Sequence, residues 1–202
     1  MTTITSAVLE RRQIVTVLFI DIVGFTSLVD RLDCAEVRAL QRDYFSAVSA
    51  VVRDRGGIVE KYVGDAVMAV FGAAEGGFGP EAAASAVQAG LSVQEALRGR
   101  LLAGRFPVRT RVGLATGEVI VDPMAAFDGG HGMISGSVVS TAARLQAYAP
   151  HDTVVVCSAT RDVTDALIAY QELPPVSVPG KSYPLDLFRA LQRQTVPLAS
   201  VA

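Results

Sequence analysis

Two apolar segments, each joined to an aspartate, constrain the possible folds of this sequence most strongly. Residues 14–20 run directly into Asp21, and residues 66–71 follow the pair Gly64-Asp65. Short apolar runs rich in β-branched residues indicate buried strands, and a carboxylate at a strand end can point out of the core. Two such ends on neighbouring strands predict a hard-oxygen pocket for one or two small divalent cations.

A short helix is predicted directly after Asp21. Gly24 permits a tight turn, and Phe25, Leu28 and Leu32 have the spacing of a buried helix face. The first backbone N–H groups of such a helix would lie near the pocket and would suit a phosphate chain bridged by cations. The alternative is a helix cap and a turn residue, but the occurrence of both aspartates at strand ends favours the metal pocket.

Composition and charge narrow the classes of function. The 202 residues are 50% hydrophobic, which allows one domain with a sizeable core. The net charge is −2 and no basic run occurs, so a nucleic-acid-binding surface is not expected. No apolar run reaches the roughly 20 residues of a membrane span, and residues 1–12 lack a signal-peptide core, so we expect a cytoplasmic protein. Cys34 and Cys157 match no metal-binding spacing and are interpreted as reduced thiols.

The order of the predicted elements indicates an α+β fold. A strand over 13–21 precedes a helix over 35–55, on which Tyr44 belongs to the apolar face, and a hairpin turns at Gly64-Asp65. An alanine-rich helix over 81–98 and strands over 108–115 and 117–121 complete a ferredoxin-like βαββαβ sandwich with additional C-terminal strands. Those additions are a helix capped by Ser137 that ends at Pro150, a strand over 154–156, a helix over 160–167 and strands over 170–173 and 185–189.

Ser140 and Arg144 are four residues apart on the predicted helix and therefore share one face. A guanidinium fixed on a helix can clamp developing phosphate charge with two parallel hydrogen bonds. A solvated surface arginine is the alternative interpretation. His131, in a glycine-rich loop, is interpreted as a flexible loop residue rather than a general base, because nothing in the sequence places it near the metal pocket.

Four segments in order resemble those of the class III nucleotide cyclase catalytic domain. They are VTVLFIDIVGFT (15–26), EKYVGD (60–65), RVGLATGEV (111–119) and TAARL (141–145). The resemblance implies a lead-in over 1–11, the catalytic domain over 12–191 and a tail over 192–202. The chain is most similar to bacterial cyclase domains that open long fusions with an ATPase module, so a fused or neighbouring ATPase module is an expected partner.

The resemblance implies conversion of ATP to 3′,5′-cyclic AMP and pyrophosphate, with two Mg²⁺ or Mn²⁺ ions per site. Asp21 and Asp65 would bind the metals with help from the carbonyl of Ile22. Lys61 matches the adenine-reading lysine, because its cation can donate to adenine N1, and Arg144 matches the transition-state arginine. In such enzymes each site is shared across a head-to-tail homodimer, with the metal aspartates from one chain and the base readers from the other. We expect no membrane or nucleic-acid partner for this chain. Further substrate contacts would come from Gly24, Phe25 and Thr26.

Three positions depart from the family's pattern. Met133 stands where a second base-reading residue, usually Asp, is expected, and Ser140 replaces the transition-state Asn. Pro179 replaces the phosphate-binding lysine, although Lys181 lies two residues further on. We expect a weakened enzyme, because a lost transition-state donor costs about 3 kcal/mol. The alternative is a degenerate domain that dimerises, holds a nucleotide and regulates a neighbour; an RNA-binding sheet is disfavoured by the acidic balance.

Overall fold

A computed structural model of the chain describes residues 11–73, 77–122, 134–177 and 184–193. The strands are β1 Arg11–Ile22, β2 Ile58–Val63, β3 Ala66–Phe71, β4 Leu101–Leu102, β5 Phe106–Pro107, β6 Thr110–Val121, β7 Ile134–Ser135, β8 Thr153–Val156, β9 Ile168–Val176 and β10 Leu185–Arg193. The helices are α1 Phe25–Val29, α2 Cys34–Asp54, α3 Pro80–Leu97, α4 Ser137–Tyr148 and α5 Ser158–Thr164.

The main sheet has the strand order β2-β3-β1-β6-β8-β10-β9, with β7 paired to β6. Strands β6 and β8 run parallel, whereas the other neighbours in this order are antiparallel. The unit β1-α2-β2-β3-α3-β6 is the predicted βαββαβ arrangement, and the predicted α+β, ferredoxin-like fold with additional C-terminal strands is confirmed.

Hydrophobic cores lie on both faces of the sheet. Leu18 and Ile20 of β1 pack with residues of α2 and α3, while Val17 and Phe19 pack on the opposite face with residues of α4. A strand that is covered on both faces reads as a continuous apolar run, which explains the sequence of β1. None of the helices in the described part of the chain is long and apolar enough to cross a bilayer.

Several local predictions differ from the structure: besides the three differences described next, α4 ends at Tyr148 before Pro150, and α5 covers Ser158–Thr164 where 160–167 was predicted. Helix α1 ends at Val29, so Leu32 lies beyond it. A separate helix, α2, follows Asp33, whose side chain caps it by accepting hydrogen bonds from the N–H groups of Ala35 and Glu36. Phe25 and Leu28 are only partly buried against the core.

Strand β6 is continuous where two segments were predicted, because residues 110–121 all pair with β1. The N-cap of α4 is Gly136, and Ser137 is the first helical residue, so the prediction that Ser137 caps this helix was wrong. Gly136 approaches the backbone of β6 closely: a Cβ there would lie 2.8 Å from the carbonyl oxygen of Glu118. A glycine is therefore needed where α4 begins.

Candidate active site

The two predicted metal ligands lie together at one end of the sheet. Asp21 is the penultimate residue of β1, and Asp65 lies in the two-residue turn between β2 and β3, where Gly64 adopts a φ of 65°. Pairing of Ile20 with Val67 brings this turn beside the end of β1. The backbone N–H of Ile22 donates to Asp65 Oδ2 over 3.0 Å, which fixes the orientation of that carboxylate.

Asp65 is held in an environment that opposes its ionisation. The pKa of Asp65 is raised to about 7, chiefly by burial, and to a lesser extent by a hydrogen bond shared with Asp21 and by the negative charge of Asp21. The N–H groups of Ile22 and of Asp65 itself lower the pKa but do not reverse the shift. A bound cation would relieve this repulsion, so the pair has the properties of a divalent metal site.

The donor set fits a hard divalent cation. Within the described residues no cluster of three or more His, Cys, Asp or Glu side chains occurs, so protein carboxylates alone would not fill a coordination sphere. Mg²⁺ commonly binds through one or two carboxylates and completes its shell with substrate phosphates and water. Asp21 and Asp65 supply that number of carboxylates, and the backbone N–H of Ile22 keeps Asp65 oriented.

Two residues that sequence reasoning missed contact Asp21. Gln146 donates from Nε2 to Asp21 Oδ2 over 3.1 Å, and Arg111 Nη2 lies 3.6 Å from the same oxygen. Arg111 faces Asp21 across the β1–β6 pairing and also donates from Nη1 to the carbonyl of Ala147 over 3.0 Å. Arg111 belongs to a segment that carries the family resemblance, but its partner depends on strand register, which that segment does not reveal.

Tyr44, a residue of α2, lies near the carboxylates of Asp21 and Asp65. Its side chain is fully buried, and no described residue hydrogen-bonds to its hydroxyl group. Burial raises the pKa of Tyr44 well above its ordinary value, and the charges of Asp21 and Asp65 raise it further. The phenol therefore remains protonated near the acidic pair. The sequence placed Tyr44 on the apolar face of the helix but did not indicate this proximity.

Ser140 and Arg144 lie on the outer face of α4. The residues of α4 that are buried against the sheet are Val138, Ala142, Leu145 and Gln146. Ser140 is exposed and donates its hydroxyl hydrogen to the carbonyl of Ser137 over 2.9 Å, and Arg144 is half-buried. Two residues along a helix differ by about 200° in direction, so Arg144 points away from the face that carries Gln146 to Asp21.

Lys61 is paired with the residue that precedes it. Its Nζ lies 3.3 Å from Glu60 Oε2, and the side chain of Glu60 is completely buried. Neighbouring strand residues normally point to opposite faces, but the pairing of β2 with β3 shifts register between Val59 and Lys61. The pairing of Lys61 with Glu60 was not predicted, because the sequence gives no signal for this register shift in β2.

The remaining predicted substrate residues divide into two groups. Gly24, with a φ of 70°, leads from β1 into α1, where Phe25 and Thr26 are the first residues. Met133, Pro179 and Lys181, together with His131, lie outside the described residues.

Comparison with known proteins identifies the family. The model of the adenylate and guanylate cyclase catalytic domain matches residues 7–190, and the chain belongs to this family. An uncharacterized protein of Mycobacterium tuberculosis, Rv1320c, is 30% identical over 92% of the chain. The chain spans about a third of that relative, since the match covers 32% of its length.

Solved structures of both cyclase types share the fold. The adenylyl cyclase CyaB from P. aeruginosa matches with a TM-score of 0.82 and 25% identity, over 92% of this chain and 97% of the other. The guanylyl cyclase Cya2 matches with a TM-score of 0.82 and 24% identity, over 94% and 97% respectively. The chain is thus a cyclase catalytic domain of adenylate or guanylate type, and the choice between the two bases depends on its own residues.

Proposed function

We propose that this domain converts ATP to 3′,5′-cyclic AMP and pyrophosphate, at a reduced rate, in two composite sites of a homodimer. The observation that carries the proposal is the convergence of Asp21 and Asp65 at one sheet end, with Asp65 oriented by the N–H of Ile22. The reaction is an in-line attack of the ribose 3′ oxygen on the α-phosphorus, with pyrophosphate as the leaving group.

Asp21 and Asp65 would hold two Mg²⁺ or Mn²⁺ ions, with the carbonyl of Ile22 as a further ligand. When bound, such ions lower the pKa of a hydroxyl nucleophile and stabilise charge on the phosphate oxygens. The chain's own contribution is to place two hard-oxygen ligands within reach of each other while burial and Asp21 raise the pKa of Asp65. A dedicated general base is then unnecessary, so the proposed reaction requires no role for His131.

Lys61 supports adenine as the base. A lysine cation can donate a hydrogen bond to adenine N1, which is an acceptor, whereas guanine N1 carries a hydrogen. The ion pair with buried Glu60 restricts the Lys61 ammonium while leaving its side chain 30% exposed. The thioether of Met133 is only a weak acceptor for the adenine amine, so we expect selectivity for ATP over GTP to be looser than it would be with a second base-reading carboxylate.

The orientation of α4 supports a site shared between two copies of the chain. Gln146 contacts Asp21 of its own chain, so Arg144, on the opposite face of the helix, is directed away from that aspartate. A partner copy that presents its Asp21 and Asp65 to this outer face would bring Arg144 to the transferring phosphate. Two surface cavities lie on the described part of the chain, one lined in part by Arg109 and the other in part by Asp43. Neither Asp21 nor Asp65 lines either of them.

A degenerate, nucleotide-binding regulatory module is the second candidate function. The hydroxyl of Ser140 donates to the carbonyl of Ser137, so the group that replaces the transition-state amide is already occupied within α4. Together with Met133 and Pro179, this contact favours weak or absent turnover.

The deciding experiment measures cyclic nucleotide and pyrophosphate formation from ATP and from GTP, with Mg²⁺ and with Mn²⁺. We expect cyclic AMP as the main product, and loss of nearly all activity in Asp21→Ala and Asp65→Ala with circular dichroism unchanged. Equal activity in Asp65→Ala would remove the two-metal assignment. Nucleotide binding without product under every condition would establish the regulatory module instead.

A further inference from the structure

The contacts of Asp21 are unequal on its two oxygens. Gln146 Nε2 and Arg111 Nη2 both approach Oδ2, at 3.1 and 3.6 Å. We propose that Gln146, with Arg111, is a positioning residue that holds Oδ2 so that the other oxygen of Asp21 is presented to the metal. The inference rests on the proposed function, since it assumes that Asp21 is a metal ligand.

Close packing of α4 on β6 makes this contact possible. Gly113 lies on β6, two residues beyond Arg111, and a Cβ built on it would lie 2.1 Å from the backbone nitrogen of Gln146 and 2.6 Å from the carbonyl oxygen of Ala142. A side chain at this position would push the helix outward. Glycine therefore lets α4 approach the strand until Gln146 reaches across to β1.

Arg111 ties the same helix to the same carboxylate. Its Nη1 donates to the carbonyl of Ala147 in the last turn of α4, where a cation is favoured, and its Nη2 faces Asp21. Arg111 and Asp21 are both largely buried, with side-chain exposures of 25% and 19%. Partners that orient a ligating carboxylate in such a setting commonly change metal affinity when they are removed.

The amide of Gln146 suits this task chemically. An amide NH₂ donates to a carboxylate without adding charge, so Asp21 keeps its full negative charge toward a cation. Gln146 is only 8% exposed, and a contact that served helix packing alone could be made by an apolar side chain of similar size. Loss of the donor should therefore affect metal binding more than it affects folding.

The test compares Gln146→Leu with Gln94→Leu, a matched control. Gln94 is also a helical glutamine, is 9% exposed, and its Nε2 donates to no described residue. Binding of Mn²⁺ to the full chain is measured by electron paramagnetic resonance of the free ion, with and without a non-hydrolysable ATP analogue. Metal activation curves and thermal unfolding without metal are recorded in parallel.

We expect Gln146→Leu to weaken Mn²⁺ binding about tenfold and to raise the metal concentration for half-maximal activity similarly. Turnover at saturating Mn²⁺ should stay within about threefold of wild type, since the metal ligands themselves remain. Gln94→Leu should leave both metal measurements unchanged. Gln146→Asn, which is shorter by one methylene group, should also weaken Mn²⁺ binding and serves if the leucine variant does not fold.

The outcomes separate this inference from the proposed function. Wild-type affinity for Mn²⁺ in both Gln146 variants, with binding lost in Asp65→Ala, would overturn the positioning role and leave the metal site intact. If Gln146→Leu and Gln94→Leu weakened Mn²⁺ binding equally, the effect would be one of helix packing, and the positioning role of Gln146 would also be overturned. If the wild-type chain bound no Mn²⁺ either with or without the ATP analogue, both the metal site and the positioning role would be overturned.

Discussion

Lys61 forms an ion pair with Glu60 Oε2 over 3.3 Å, although the two residues are neighbours on one strand. Glu60 is buried and Lys61 is partly exposed, so a carboxylate inside the protein restrains an ammonium that faces outward. This arrangement limits the positions that the cation can occupy in the proposed base-binding pocket. It also means that a change at Lys61 affects both folding and selectivity, so a ratio of activities is the informative measurement.

Lys61→Met should lower kcat/KM for ATP by about tenfold or more, since a charged hydrogen bond is worth roughly 1.5–3 kcal/mol. The value for GTP should change much less, because guanine N1 is a donor and gains nothing from the ammonium. The ratio of the two kcat/KM values cancels any loss of folded enzyme. Arg98→Met, at an ion-paired arginine whose side chain is 72% exposed, is the control. A parallel fall for both nucleotides would exclude Lys61 as the base reader.

Metal affinity should fall as the pH drops below about 7. The pKa of Asp65 is raised to about 7, so below that pH the carboxyl is protonated, and a divalent ion must displace the proton to bind. Calorimetry in buffers of different ionisation enthalpy should detect proton release at pH 6 and little at pH 8.5. Asp65→Asn should lose this pH dependence together with most of the affinity.

The raised pKa of Asp65 also makes the stability of the metal-free protein depend on pH. Because the folded pKa lies above the ordinary value of 3.8, the protonated form of Asp65 is favoured by folding. The stabilisation that Asp65 contributes through this shift is complete below pH 3.8 and is lost as the pH rises through about 7. Thermal unfolding without metal should therefore show wild type losing stability relative to Asp65→Asn over this range. A constant difference would contradict the raised pKa.

Mixing inactive variants should restore activity if the sites are composite. A dimer of one Asp21→Ala chain and one Arg144→Ala chain retains one site with both groups intact. Random mixing in equal amounts should give about a quarter of wild-type activity, since half of the dimers are mixed and each has one of two sites. Mixing Asp21→Ala with Asp65→Ala is the matched control and should recover nothing. No recovery from the first mixture, with mixed dimers demonstrated, would show that each site lies within one chain.

Local patterns predicted the parts of the site that depend on local structure. The apolar runs and the Gly64-Asp65 turn predicted the hairpin and the meeting of the two aspartates, and the structure places both as expected. The four-residue spacing predicted that Ser140 and Arg144 share a face, which α4 confirms.

Contacts set by long-range register were not predictable in the same way. Gln146 meets Asp21 only because α4 packs closely on β6 at Gly113, and Arg111 meets it only because β6 pairs with β1 in one register. Glu60 would be assigned to the opposite face from Lys61 by simple alternation, and only the irregular pairing of β2 brings the two charges together.

Gly113→Ala should test whether close helix packing supports the site. The added Cβ would meet backbone atoms of α4 at 2.1 and 2.6 Å, and these atoms cannot move without shifting the helix. We expect a loss of about 1–3 kcal/mol in the free energy of unfolding and weaker Mn²⁺ binding. Gly117→Ala on the same strand is the control, since the nearest atoms to its Cβ lie at 3.4 Å. Equal stability of the two variants would contradict the packing argument.

Ser140→Asn should increase turnover with ATP by about tenfold, since one recovered hydrogen bond in the transition state is worth roughly 1–2 kcal/mol. The serine hydroxyl now donates to the carbonyl of Ser137 over 2.9 Å, whereas an asparagine amide extends further and offers two donor hydrogens. Single-turnover measurements of cyclic AMP formation with saturating Mn²⁺ would separate this effect from substrate binding. Ser137→Asn, one turn earlier on the same exposed face, is the control and should leave the rate unchanged. An inactive wild type that stays inactive after Ser140→Asn would favour the regulatory module over the enzyme.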